Sequence, residues 1–161
     1  MEKHLGELKR YPDDKVLTKT MINNYAKNNL LPSPVRKKYT QEHILLLVFI
    51  YYFKNLLNFN DIETILSYIT EHHFCETSLP LSKVYTEVFS MEHTQMENLK
   101  ADVQEKFRVA SETFPEAEES ERDALQLFAF ICELAFDVYL KKQMIERLTD
   151  EIRSENPPHK K

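Results

Sequence analysis

Almost all the periodicity of apolar residues along this chain is helical, with recurrences at steps of three and four. In the first segment Met21, Ile22, Tyr25 and Ala26 form one such face. Thr18, just before it, carries a hydroxyl suited to accept a bond from an orphan amide of the first turn. Asn29 stands at the far end, where a left-handed residue usually sits and where Asn is the best tolerated non-glycine. Residues 32–39 hold Pro32 and Pro34, each lacking an amide donor and biasing its predecessor toward extended geometry, so an extended basic loop is expected there. Thr40 then caps a helix over about 41–55, with Glu42 near its positive end. That helix is apolar on nearly every side and reads as the buried centre of a domain. Asn58-Phe59-Asn60-Asp61 reads as a variant capping box, Asn58 as cap and Asp61 reaching back, opening a helix that carries Ile62, Ile65, Leu66 and Ile69.

After a loop near His72 to Pro80, two longer helical segments follow. The first spans Leu81 to Ala110 with a break expected near Ser90 to His93. The second runs from about Ser120 to Arg153, with Leu125, Phe128, Cys132, Ala135 and Tyr139 along its stripe. The apolar residues between Leu125 and Leu140 cover more than one stripe, so one face is expected to pack within the chain and another against a second copy, or around a ligand. Cys132 is expected to be an inert buried thiol. Residues 156–161 read as a disordered tail.

Composition narrows the function. A single glycine, Gly6, excludes phosphate-cradling loops and Rossmann turns, which need several residues at positive φ or in close backbone approach. Cys75 and Cys132 make no disulfide framework and no zinc-site spacing, which fits a reducing cytoplasm. No stretch reaches the ~18–20 apolar residues of a bilayer span, so no membrane partner is expected. No nucleophile, base and orienting group fall together, so catalysis is not expected. His72-His73-Phe74-Cys75-Glu76 collects metal-capable groups but reads as surface histidines in a helix-ending loop, and no cofactor or metal is expected.

Charge is unevenly shared. Residues 1–60 carry ten Lys/Arg against five acids, a net of +5, while residues 61–161 carry a net of −10. Such a split points to a polyanion-facing part joined to an acidic part. The exposed face of the first helix would offer Lys19, Thr20, Asn23, Asn24, Lys27 and Asn28. Among these Thr20, Asn23, Asn24 and Lys27 are the candidates for base contact, through amide forks and cations of a kind that reads base edges. Lys19, with Arg36, Lys37 and Lys38 of the loop, is a candidate for phosphate contact.

A capped helix, a basic two-proline loop, a buried helix and a short fourth helix resemble the DNA-binding domain of MerR-type regulators, a winged helix-turn-helix variant. Ile22 to Pro32 stands where that family has R-Y-Y-x-x-x-G-L-L-P, with Asn29 for the glycine. Tyr39-Thr40-Gln41-Glu42-His43 is similar to the opening of its third helix, and Leu57-Asn58-Phe59-Asn60-Asp61-Ile62 to that of its fourth. Leu17-Thr18-Lys19-Thr20-Met21-Ile22-Asn23-Asn24-Tyr25 with Lys37-Lys38-Tyr39 also looks like the core of a bacterial domain-of-unknown-function family carrying this motif. The resemblance departs at two points. Only residues 1–10 precede the acidic pair Asp13-Asp14, so a shortened first helix is expected, with Met1 inside what is a longer helix in relatives. The loop is also shorter than a full wing.

The expected fold is all-α. Residues 1–71 would be a MerR-like helix-turn-helix head, and residues 80–155 an acidic helical part for dimerisation and effector sensing. The resemblance implies a cytoplasmic transcriptional regulator that binds operator DNA as a homodimer through its C-terminal helices, with an unidentified small-molecule effector. The competing reading is a protein-interaction module that keeps the scaffold without touching DNA.

Overall fold

A computed structural model describes residues 11, 13, 15–34, 36, 38–74 and 78–155. The expected first helix at 1–10, Lys37, Cys75, Glu76 and the tail at 156–161 lie outside the described residues. The described elements are helical: α1 (Lys19–Lys27), α2 (Gln41–Phe53), α3 (Phe59–His73), α4 (Leu81–Ser90), α5 (Glu92–Ser111) and α6 (Glu119–Glu155). No β-strand occurs among the described residues. The expected break between α4 and α5 falls at Met91.

The chain divides into two compact units. One comprises the described residues up to Thr86 together with those from Glu146 onward, and the other is Glu87–Ile145. The core of the first unit is built on α2, whose Leu46, Leu47 and Ile50 are buried, as are Ile62 and Leu66 of α3 and Leu81 of α4. Tyr25 of α1 and the following Leu30 and Leu31 complete it. Each fully buried Leu or Ile contributes ~1.5–3 kcal/mol, so this cluster is the main source of stability in the unit. The expectation of a buried central helix holds for most of α2, while Ile44 and Tyr52 face solvent.

The start of α3 is anchored from a distant part of the chain. Asn58 Oδ1 accepts the Asp61 amide at 3.0 Å, as a cap should. Asp61 does reach back, but to the Asn58 side-chain amide, which donates to Oδ2 at 2.6 Å, and not to the backbone. Its other oxygen accepts from Arg153 Nη2 at 2.8 Å, and the same nitrogen lies 3.4 Å from Thr64 Oγ1. The last turns of α6 are thereby fastened to the first turn of α3.

The second unit is a helical hairpin. Gln126 Nε2 donates to the carbonyls of Ser111 and Thr113 at 2.7 and 3.1 Å, Phe107 meets Phe130 edge-on at 5.4 Å, and Lys106 lies 3.9 Å from Asp137. These pairings advance along α6 as they retreat along α5, so the two helices run antiparallel. Arg122 closes the connection by donating to the carbonyl of Ala117 at 2.7 Å, next to Phe114 at φ 55°. Among the described side chains of this unit Ala110 alone is buried. Cys132, expected to be buried, is only half-buried.

Asp61→Ala should lower unfolding free energy by about 1–3 kcal/mol, since it removes the carboxylate that holds the Asn58 side-chain amide and breaks the long-range ion pair to Arg153, which is left with Asp150 and Thr64. Arg153→Ala should cost less, and the double variant should lose less than the sum, with a coupling of at least ~0.5 kcal/mol in urea unfolding.

Candidate nucleic-acid interface

Helix α1 is cut from the sequence by local signals at both ends. The Thr18 hydroxyl accepts the Met21 amide at 3.1 Å with Thr18 itself extended, as expected of a cap. At the other end Asn29 takes φ 57°, and the Leu30 amide donates to the Tyr25 carbonyl at 2.9 Å. That is the six-to-one bond of a Schellman ending, sealed by the buried pair Leu30 and Tyr25.

Between these caps the helix separates its residues cleanly. Tyr25 is buried, and Met21, Ile22 and Ala26 are half-buried. Tyr25 packs edge-on to Phe59 at 6.1 Å, and burial pushes its phenol above its ordinary pKa. Lys19, Thr20, Asn23, Asn24, Lys27 and Asn28 are all exposed. Thr20, Asn23, Asn24 and Lys27 stand at i, i+3, i+4 and i+7, the spacing of one helix face. Asn28 is partly committed, its side-chain amide donating to the Asn24 carbonyl at 2.8 Å. All four candidates for base contact therefore lie on a single solvent-facing arc.

The loop that follows is held by one imidazole. His43 is fully buried at the third position of α2. Its Nδ1 accepts the Thr40 amide at 3.0 Å and lies 2.9 Å from the Thr40 hydroxyl, while Nε2 lies 3.4 Å from the Ser33 carbonyl. An amide only donates and a carbonyl only accepts, so the ring proton belongs on Nε2. His43 takes the place of the usual Glu or Gln of a capping box and ties together both ends of the loop at Ser33 and Thr40. Tyr39 and Phe74 pack edge-on against the ring at 5.3 and 4.8 Å. Thr40 also bonds the Glu42 carboxyl and holds it below its ordinary pKa.

Within this loop Arg36 and Lys38 are exposed, and Arg36 takes φ 50°. Lys37 lies outside the described residues. Among the described residues no carboxylate forms an ion pair with Lys19, Lys27, Arg36 or Lys38. Their charge is directed to solvent, as phosphate binding requires.

Helices α1 to α3 and the loop all lie within residues 1–88, which match the family model described as Domain of unknown function (DUF1836). The chain belongs to the DUF1836 family. No curated protein and no solved structure matches it. The DUF1836 region contains every sequence-derived candidate for base or phosphate contact. It also contains His43, whose anchoring role the sequence reading did not identify. The signal was present as a ring nitrogen three positions after a capping threonine.

Elsewhere in the DUF1836 region the histidines of α3 serve local structure. His72 Nδ1 lies 2.9 Å from the Tyr68 carbonyl, and His73 Nδ1 lies 2.8 Å from the Leu79 carbonyl. No group of three or more metal-capable side chains occurs among the described residues. No helix among them is long and apolar enough to cross a membrane.

His43→Ala should destabilise the protein by about 1–3 kcal/mol, because it removes an acceptor from the Thr40 amide and opens a cavity between Tyr39 and Phe74. Hydrogen exchange should show faster opening of residues 38–44, with α5 unchanged.

Proposed function

We propose that this protein binds double-stranded DNA through α1 and the basic loop, as a cytoplasmic MerR-like transcriptional regulator working as a homodimer on operator sites. The observation that carries the reading is the exposed arc of Thr20, Asn23, Asn24 and Lys27 on a helix whose opposite side is fixed in the core by Tyr25. A recognition helix must offer donors and acceptors to base edges without disturbing its own packing, and this division supplies both.

Asn side chains pair with adenine through two bonds at once, so Asn23 and Asn24 are the candidates for reading sequence. Lys27 and Thr20 flank them on the same arc. Lys19, Arg36, Lys37 and Lys38 hold phosphates, contributing affinity and salt dependence without selecting a sequence. The positive charge of the first sixty residues favours this part of an otherwise acidic protein as the side that meets a polyanion.

The test is in vitro selection on random duplex DNA followed by fluorescence anisotropy on the enriched site. Binding should weaken steeply with salt. Replacing Arg36, Lys37 and Lys38 together by alanine should weaken binding to all duplexes and flatten the salt slope by about 3. Asn23→Ala or Asn24→Ala should cost ~1–3 kcal/mol on the selected site and little on random DNA. No enrichment, together with equal affinity for the wild type and the triple variant, would reject the reading and favour a protein-interaction module on the same scaffold.

A further inference from the structure

The hairpin of the second unit has the wrong distribution of apolar surface for a finished structure. Along α6, Leu127, Phe128, Ile131, Val138 and Tyr139 are each more than half exposed, Phe128 at 62%. Together with Ala124 and Ala135, which are exposed in the same arc, they follow one another at steps of three and four or as neighbours. The face toward α5 is a different one, carrying Gln126, Phe130 and Asp137. At these exposures the arc leaves on the order of several hundred Å² of surface per copy, the size of the largest and often functional patch on a monomer. A stable interface of standard size buries roughly 800 Å² per partner, and the arc supplies a large part of that.

Size and charge along this arc are self-complementary under reversal. When two α6 helices are laid antiparallel with their centre at Ile131 and Cys132, Phe128 of one copy comes opposite Ala135 of the other, and Tyr139 opposite Ala124. Large side chains then meet small ones. The same register sets Glu121 opposite Lys142, at both ends of the contact. A parallel pairing would instead set acid beside acid and base beside base. A patch that matches its own reversed copy is what a two-fold isologous interface requires.

We infer that a second copy of this chain docks antiparallel on the Leu127–Tyr139 face of α6, with its two-fold axis between Ile131 and Cys132, to make a four-helix arrangement from two hairpins. This deepens the homodimer part of the proposed function and rests on it, but not on DNA contact. A dimer that ignores DNA leaves the surface intact, whereas a monomer that binds DNA removes the surface and leaves the DNA reading.

Sedimentation equilibrium of the full chain should show a dimer at micromolar concentration. Phe128→Glu with Ile131→Glu should raise the dimer dissociation constant at least ~30-fold while circular dichroism keeps its helical signal. Because loss of apolar contact can also act through misfolding, geometry provides a second measurement. In a Cys75→Ser, Cys132→Ser background, Ile131→Cys should oxidise to a disulfide-linked pair and Ala124→Cys should not. Ala124→Cys mixed with Tyr139→Cys should form the linked pair. Glu121→Lys should weaken the dimer, and adding Lys142→Glu should restore it. A wild type that stays monomeric, or an Ala124→Cys protein that links to itself, would overturn the inference.

Discussion

A carboxylate withdrawn from water must be paired, and Asp61 is nearly buried at the first turn of α3 with both oxygens engaged. One is held by Asn58, three residues earlier, and the other by Arg153, ninety-two positions later. The Asp61 hydrogen bond raises the Arg153 guanidinium further above its ordinary value. The first unit is therefore not a contiguous stretch of chain. It needs the end of α6 as well as its own helices, and α6 belongs to both units as one uninterrupted helix.

His43 does for the basic loop what Asp61 does for α3. A cationic loop tends to repel itself and to remain extended and mobile in water. Here its two ends converge on one imidazole, between Tyr39 and Phe74, and the loop is closed before any ligand arrives. Preorganisation of this kind lowers the entropy that a loop loses when it meets a ligand. The exposed arc of α1 is fixed in the same way by Thr18 at one end and Asn29 at the other. The candidate interface is thus a set of exposed polar groups on backbone that is already tied down.

Local signals were legible in the sequence and distant ones were not. Thr18, Asn29 and Asn58 all act within four residues of their partners, and each cap formed where the residue types placed it. The Tyr25 core position followed from spacing alone. By contrast, nothing in the residues around Asp61 names Arg153, and nothing around His43 names the Ser33 carbonyl, because those partners are chosen by tertiary packing. The apolar run of α6 shows a second kind of limit. Hydrophobic periodicity reports that a face must be covered but not by what, so Cys132 was placed in a core although it is only half-buried.

That ambiguity is resolved only by asking what each half of the molecule lacks. Among its described residues the first unit has a dense apolar centre and a paired buried carboxylate, and its remaining polar groups point outward. The second unit is incomplete, since two helices in one antiparallel layer bury almost nothing and leave aromatic and aliphatic side chains in water. Burial of that surface against a second copy is the apolar gain from which an association cost of about 4–15 kcal/mol would be met.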